Sequence, residues 1–158
     1  MDYLWSPWRY RYVTGADPQV GCVFCRKLDE NKDEENFIVY RGLNNFVLLN
    51  LYPYTSGHVM IAPYRHIGEL SQADDATWAE LAALTRKAEQ ALQSAYKPDG
   101  INLGMNLGKS AGAGIADHIH MHVLPRWHAD SNFMSVIGET RVLPESLADT
   151  YRKLKPLF

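Results

Sequence analysis

The stretch His118-Ile119-His120-Met121-His122-Val123-Leu124 alternates three histidines with apolar residues over seven positions. Alternate side chains of a β-strand share a face, so this pattern predicts a strand that carries three imidazoles about 6.7 Å apart and buries Ile119, Met121 and Val123. Histidine is the side chain best suited to nucleophilic and proton-transfer chemistry near neutral pH. Two alternatives stay open: a polar strand face that happens to be rich in histidine, and a metal site made of these three histidines alone.

A loop of small residues, 106–117, precedes this strand and contains three glycines. Glycine lacks a Cβ atom, so backbone N–H groups in such a loop can converge on an anion, while Asn106 and Ser110 add neutral donors. The sequence therefore predicts a phosphate-binding loop, with a flexible connector as the alternative. The run Gly108-Lys109-Ser110 is not a Walker A motif, because position 103, where that motif requires glycine, is leucine.

Outward from these motifs, strand-like and helical patterns alternate. Apolar and β-branched runs predict strands over residues 37–40, 45–49, 58–62, 101–105 and 118–124. An apolar stripe at three- and four-residue spacing, with Trp78 among its members, predicts a long helix from Ser71 to about Tyr96. A short helix is expected around residues 144–154, with Pro144 in its first turn. The order β-β-β-α-β-β-α indicates an α+β fold with a mostly antiparallel sheet, one long helix and one short helix.

Length and composition place the chain among ordinary globular proteins. The 158 residues fit a single domain, in which residues 1–20 form an aromatic N-terminal arm and residues 128–158 a C-terminal extension with the short helix. A net charge of −2 and a sequence pI near 6.3 offer no basic surface for duplex nucleic acid. No apolar run is long enough for a membrane span or a secretion signal, so a cytoplasmic protein is expected.

Cys22 and Cys25, the only two cysteines, have the spacing of metal ligands, although two ligands are half of a tetrahedral site. A reducing compartment favours a metal or free-thiol role over a disulfide. Two alternatives are a pair of small buried thiols and a redox pair; the redox reading is disfavoured because no helix clearly begins at Cys22. The charged stretch that follows, residues 26–36, is expected to be a solvated loop or a short helix.

Taken together, the histidine alternation and the loop resemble the histidine triad family of nucleotide hydrolases and transferases. The signature of that family is His-φ-His-φ-His-φ-φ, where φ is apolar. The resemblance extends to residues 50–63 and 65–67 and covers most of residues 20–127. Residues 5–9 and 125–127 look like the bacterial branch that includes diadenosine tetraphosphate phosphorylases. The resemblance implies the compact α+β fold of that family.

The same resemblance implies a nucleotidyl-enzyme mechanism at the α-phosphate of a dinucleoside polyphosphate. His120 would attack phosphorus and form an intermediate that water or phosphate resolves, His122 would orient and stabilise that ring, and His118 completes the catalytic set. The implied nucleotide and phosphate contacts are Asn50, Asn106, Ser110, Gly112, Ala113 and Gly114. Asn50 matches the family's ribose contact, with a strand-ending turn residue as the alternative. A purine nucleoside phosphoramidase, a nucleotide-binding module without turnover and a zinc-organised interaction module are the competing functions.

A metal site and a dimer are also implied. In zinc-bearing relatives a histidine at the place of His66 and the first triad histidine, here His118, join the two cysteines in a closed structural site with the ligands Cys22, Cys25, His66 and His118. Family members are commonly homodimers that bind adenine or another purine nucleotide. The apolar stripe of the long helix fits either such an interface or the protein's own sheet.

Five positions depart from the family's pattern or have no role in these motifs. Ile115 stands where many family members have Ser or Thr, so Ser110 would have to supply that hydroxyl. Ala113-Gly114 stands where the phosphorylase branch often has Gly-Ser. His58 is expected to cap or pack at a strand start, and His128 is expected to lie on the surface.

Overall fold

The computed structural model describes residues 21–128, 130 and 143–158, and these contain a five-stranded antiparallel sheet. The strands are β1 (Ile38–Arg41), β2 (Asn45–Leu49), β3 (Val59–Pro63), β4 (Gly100–Gly104) and β5 (Met121–Arg126). They lie in the order β1-β2-β3-β5-β4, and each neighbouring pair is antiparallel. The predicted α+β class is confirmed. The predicted aromatic arm lies outside the described residues.

Three α-helices accompany the sheet: α1 (Val23–Asp29), α2 (Asp75–Tyr96) and α3 (Leu147–Leu154). The side chain of Asp74 accepts a hydrogen bond from the Thr77 backbone N–H and so caps α2, which ends where Lys97 takes a left-handed conformation. The long helix begins after Ser71, because Leu70–Gln72 form a separate 3-10 turn. None of the described helices is long and apolar enough to cross a membrane.

The two faces of the sheet are covered differently, because alternate residues of each strand point to opposite sides. Helices α2 and α3 cover one face, whose buried residues include Val47, Leu49, Val59, Ile61 and Val123. Helix α1 covers part of the other face, whose buried residues are Ile38, Phe46, Leu48, Met60 and Ala62 together with Phe24 of α1. The apolar stripe of α2 therefore packs on the protein's own sheet. Trp78 does not belong to that stripe, since it is 43% exposed.

Helix α1 corrects the expectation that no helix begins at the first cysteine, because it starts directly after Cys22. Seven residues are too few for a clear period, and only Phe24 and Lys27 mark its buried side. Lys27 belongs to a stretch expected to be solvated, yet it is buried, and its ammonium donates to the backbone carbonyl and the side-chain oxygen of Asn36. Burial lowers the pKa of Lys27.

The bounds of β5 and α3 also differ from the predicted ones. Strand β5 begins at Met121 instead of His118, because the Ile119 N–H is hydrogen-bonded to the Ile67 carbonyl outside the sheet. The strand continues through Pro125 to Arg126, past its predicted end at residue 124. Helix α3 begins at Leu147 and is capped by the Ser146 side chain, so Pro144 lies before the helix.

Glu80 of α2 joins this helix to the turn between β1 and β2. Its carboxylate accepts hydrogen bonds from the backbone N–H groups of Leu43, Asn44 and Asn45 and from the Asn45 side chain, at 2.6 to 2.8 Å. Burial acts to raise the pKa of Glu80, but these hydrogen bonds outweigh it and hold the pKa below its ordinary value. The ionised carboxylate is therefore the form that stabilises the fold.

We expect Glu80→Gln to lower the free energy of unfolding by about 2 kcal/mol at pH 7, because hydrogen bonds to a charged acceptor are lost. A depressed folded-state pKa adds stability above the unfolded pKa of about 4.3, and this stability is lost as the pH falls through the folded pKa. Urea denaturation of wild type, Glu80→Gln and the control Glu89→Gln at pH 7 and at about pH 3 measures this effect. A Glu80→Gln deficit that is equally large at both pH values would contradict this assignment.

Candidate functional site

The three histidines of the motif lie together at the start of β5. His118, His120 and His122 are all buried, with exposed fractions of 0, 5 and 8%. The ring centroids of His120 and His122 are 4.9 Å apart, with the rings edge to face. Only His122 belongs to the strand itself, but the predicted alternation holds, because Ile119 and Val123 are buried in the core and Met121 is partly buried against it.

A fourth histidine, His58, completes the group and was not assigned to it from the sequence. It is 1% exposed, and its Nε2 lies 2.9 Å from Nδ1 of His122. The Tyr54 backbone N–H can only donate, and it lies 3.1 Å from Nδ1 of His58. In the neutral ring the hydrogen of His58 is therefore on Nε2 and is donated to His122. His122 accepts at Nδ1 and keeps its own hydrogen on Nε2.

The role of His58 had a sequence signal that sequence analysis did not use. His58 alternates with Met60 and Ala62, two residues of β3 whose side chains point to the face covered by α1. Met60 is paired with His122 in the sheet, so His58, two residues before Met60 and directly ahead of β3, projects on the same side as His122. The alternation of His58, Met60 and Ala62 therefore indicates a side chain on the triad face.

The rings of His120 and His118 are each held by a carbonyl oxygen. Nδ1 of His120 donates to the backbone oxygen of His118 at 2.8 Å, which leaves a lone pair without hydrogen on Nε2. Nε2 of His118 donates to the backbone oxygen of Pro63 at 2.8 Å, which leaves a lone pair on Nδ1. His120 thus offers a nucleophilic nitrogen, and His118 offers a metal-ligating one.

Burial keeps these rings neutral. It lowers the pKa of His118 to about 4 and that of His122 to about 4, with the neighbouring imidazoles acting in the same direction. Burial also lowers the pKa of His120, against the opposite effect of its hydrogen bond to the His118 carbonyl. At pH 7 the three rings are therefore neutral, which is the state in which the His120 lone pair can react.

The predicted phosphate loop is a tight turn. Backbone N–H groups of Gly112 and Ala113 are hydrogen-bonded to carbonyls of Lys109 and Gly108 within the loop. Among the described residues, the Gly114 N–H has no hydrogen-bond partner. The side chains of Asn106 and Ser110 likewise have no partner in the described part of the chain, and Ser110 is exposed. The Gly114 amide and these two side chains are therefore among the loop donors that remain for a ligand.

Ile115, at the position where many relatives carry a hydroxyl, is partly buried against the apolar cluster that contains Phe24. It therefore has a packing role here. Asn50 occupies a turn: its side-chain oxygen accepts from the Tyr52 N–H at 2.9 Å, and its amide nitrogen lies 3.4 Å from Nδ1 of His58. The turn role considered for Asn50 is thus present, and one amide hydrogen is left for a ligand.

Four potential metal ligands from three segments of the chain lie together, and we call them the metal-ligating cluster: Cys22, Cys25, His66 and His118. Their ligand atoms all lie within 4.8 Å of one another. Nδ1 of His118 is 3.3 Å from the Cys22 sulfur and 3.7 Å from the Cys25 sulfur. The Cys25 sulfur is in turn 3.5 Å from Nδ1 of His66. A tetrahedral zinc ion requires ligand-to-ligand distances of about 3.3 to 3.8 Å. The donor set and its spacing therefore fit zinc.

The buried histidines, the glycine loop and the Cys-His cluster on a five-stranded sheet define a class of protein. A model of the HIT domain matches residues 31–129, and the chain belongs to the histidine triad (HIT) family. Over 161 aligned residues it is 42% identical to the AP-4-A phosphorylase of Mycobacterium tuberculosis, with coverage of 98% of this chain and 83% of that protein. It is 29% identical over 93 residues to the asymmetrical bis(5'-nucleosyl)-tetraphosphatase of Schizosaccharomyces pombe, covering 59% of this chain and 50% of that protein.

Solved structures agree with this assignment. The fold is similar to that of a Zn-bound histidine triad family protein from Mycobacterium smegmatis, with a TM-score of 0.68, 26% sequence identity and coverage of 87% of this chain and 92% of that chain. A histidine triad nucleotide-binding protein from Sulfolobus tokodaii gives a TM-score of 0.67 at 29% identity, covering 86% of this chain and 88% of that chain. The predicted fold family is therefore confirmed.

We expect His58→Phe to lower kcat about 10- to 100-fold, as is typical when the partner that orients a functional histidine is lost. The substitution removes the donor to His122 while it keeps a buried ring. Steady-state kinetics with a dinucleoside polyphosphate measures the effect, and His128→Phe on the exposed surface is the matched control. A kcat within twofold of wild type would show that His58 does not hold the tautomer of His122.

Proposed function

We propose that this protein cleaves dinucleoside polyphosphates, such as diadenosine tetraphosphate, at the α-phosphate through a nucleotidyl-histidine intermediate. One observation carries the proposal: the hydrogen bond from Nδ1 of His120 to the His118 carbonyl leaves Nε2 of a buried, neutral imidazole as a nucleophile. The 42% identity to a mycobacterial AP-4-A phosphorylase supports the substrate class. Adenine or another purine is the proposed base.

In the first step the Nε2 lone pair of His120 forms a bond to the α-phosphorus. The bond between that phosphorus and the bridging oxygen breaks, and the rest of diadenosine tetraphosphate leaves as ATP with the bonding electron pair. The new charge on the His120 ring is stabilised by the His118 carbonyl, which accepts from Nδ1. His122, held by His58, offers its Nε2–H to a phosphate oxygen.

In the second step an acceptor attacks the same phosphorus, and the P–N bond electrons return to His120. Water gives AMP, whereas inorganic phosphate gives ADP. Gly114, Asn106 and Ser110 are the proposed phosphate donors of the loop, because they are not used within it. Gly112 and Ala113 complete the loop, and Asn50 is the proposed ribose contact through its remaining amide hydrogen.

Purified protein incubated with diadenosine tetraphosphate, with and without radiolabelled orthophosphate, tests the proposal when the products are resolved by anion exchange. ATP together with labelled ADP defines a phosphorylase, and ATP together with AMP defines a hydrolase. Adenosine phosphoramidate is assayed in parallel. Cleavage of the P–N substrate alone would replace the proposal by the phosphoramidase alternative, and tight binding without turnover would replace it by a binding module.

The four-residue cluster is proposed to be a structural zinc site. Two thiolates and two imidazoles form a closed coordination shell, so a bound zinc ion would supply a fixed cross-link and no open position for substrate. Cys22 and Cys25 would join α1 to His118 beside the triad. Both thiols are free in this structure, which fits the proposed location in the reducing cytoplasm.

A homodimer is proposed through β4, the edge strand next to β5. In the described part of the chain no strand pairs with its outer side, and Leu103 in its middle is 55% exposed. A second copy related by a two-fold axis could pair β4 with β4 in antiparallel fashion and cover Leu103. Light scattering after size exclusion tests this. Leu103→Lys should yield monomers, and an unchanged mass for that variant, or a monomeric wild type, would contradict the interface.

A further inference from the structure

We propose that Phe24 is a positioning residue for the nucleophile His120. Cys22 at the N-cap of α1 and Cys25 within α1 lie on either side of Phe24, and their ligation would fix its position. The inference rests on the proposed function, in which Nε2 of His120 attacks phosphorus. It adds an aromatic side chain of α1, outside the histidine motif and the loop, to the groups that decide the direction of that attack.

The contacts of Phe24 distinguish it from other core residues. Its ring is 1% exposed, and its centroid lies 5.1 Å from the centroid of His118 and 5.1 Å from that of His120. The interplanar angle is 62° with His118, an edge-to-face arrangement favoured between aromatic rings, and 52° with His120, a tilted arrangement. The Phe46 ring also contacts Phe24, with the ring centroids 6.3 Å apart. Phe24 is therefore packed against two of the three triad rings at once.

The hydrogen bond of His120 leaves the imidazole ring free to tilt, and Phe24 can restrict this motion. Nδ1 of His120 is tied to the His118 carbonyl, but a single bond of this kind permits the ring to tilt about the line between the two atoms. Tilting would swing Nε2, on the far side of the ring, away from the line of attack on phosphorus. His122 contacts the ring at 4.9 Å and Phe24 contacts it at 5.1 Å, so these two contacts limit the tilt.

The position of Phe24 depends in turn on α1. This helix has seven residues, and Cys22 at its N-cap makes no side-chain capping hydrogen bond. A helix of one to two turns is marginal without tertiary support. Ligation of both Cys22 and Cys25 would fix the first turn, with Phe24 between them. The metal-ligating cluster and the nucleophile are thereby coupled through one aromatic ring.

The test compares Phe24→Leu with Phe46→Leu in the zinc-loaded full-length protein. Both substitutions remove a fully buried ring from the same apolar cluster. Within the described residues no ring contact joins Phe46 to a histidine, whereas Phe24 contacts two. We expect kcat of Phe24→Leu to fall about 10- to 100-fold with KM changed less than about threefold, because the reacting atom is displaced. Phe46→Leu should keep kcat within about threefold of wild type, a smaller change than the one expected for Phe24→Leu. Zinc content and melting temperature are recorded for each protein.

Proton NMR of the imidazoles gives a readout that does not depend on turnover. In wild type and Phe46→Leu the ring current of Phe24 should displace the His120 signals, and this displacement should disappear in Phe24→Leu. Removing zinc from wild type should shift the same signals. Unchanged His120 signals in Phe24→Leu, or equal kcat losses in both variants, would overturn the proposal. If wild type cleaves no nucleotide, the proposed function fails, and the NMR comparison alone decides whether Phe24 holds the ring.

Discussion

Replacing His120 by alanine is expected to abolish turnover of diadenosine tetraphosphate, with a fall in kcat of about 10⁴-fold or more. The other imidazoles cannot take over the attack. Nδ1 of His122 accepts a hydrogen bond from His58, and Nε2 of His122 carries hydrogen. Nδ1 of His118 faces the two thiols. His120 is the one member of the triad with an uncommitted lone pair.

Single-turnover experiments give the sharpest measurement of this effect. Wild-type protein mixed with labelled substrate and quenched should carry an acid-labile nucleotidyl group, and His120→Ala should carry none. His128→Ala, which removes an imidazole from the exposed surface, is the matched control and should behave like wild type. Retention of more than about a tenth of wild-type kcat by His120→Ala would exclude a nucleotidyl-histidine pathway, since loss of a nucleophile costs orders of magnitude more.

Breaking the metal-ligating cluster is the second large effect. Cys25→Ser should lower the free energy of unfolding by about 4 kcal/mol or more and should reduce the zinc content, because loss of a structural metal belongs to the small set of strongly destabilising changes. The cluster ties α1 to His66, which follows β3, and to His118, which precedes β5. Without the metal, α1 would be held by the apolar packing of Phe24, and the other two segments by the hydrogen bonds of His118 with Pro63 and of Ile119 with Ile67.

Treatment with a chelator distinguishes the effect of losing the metal from the effect of the cysteine substitution itself. A strong chelator should lower the melting temperature of wild type and should have little further effect on Cys25→Ser. Metal analysis of the purified wild type should find one zinc ion per chain. Equal melting temperatures of wild type with and without chelator, at full chelation, would show that the cluster is not a structural metal site.

Most of the fold followed from local patterns in the chain. Strand β2 and the end of α2 lie where alternation and three- to four-residue spacing predicted them. The predicted element boundaries that differ from the structure are those decided by contacts between segments distant in sequence. Residues 118–120 alternate like a strand, but the hydrogen bond from Ile119 to Ile67 draws them out of the sheet. Trp78 fits the helical period, but it is 43% exposed in the folded protein.

The candidate site divides in the same way. The histidine motif, the CxxC spacing and the glycine loop were visible in the sequence because each lies within about a dozen residues. The relation of His58 to His122, 64 residues apart, was not, and neither was the contact of Phe24 with His120. Contacts of this kind depend on strand register and on which face of an element is buried.

The sequence by itself contained the histidine motif, the glycine loop and the CxxC pair, because residue type and short spacing are local information. The resemblance that these motifs carry then implied the family, the nucleophile His120 and the further metal ligands His66 and His118. The tertiary structure decided which nitrogen of each imidazole bears the hydrogen. That assignment depends on partners from other segments: the Pro63 carbonyl for His118, the His118 carbonyl for His120, and His58, itself set by Tyr54, for His122. A neutral imidazole has one hydrogen for two nitrogens, so the fold chooses the reactive atom by placing a hydrogen-bond acceptor or a donor at one nitrogen.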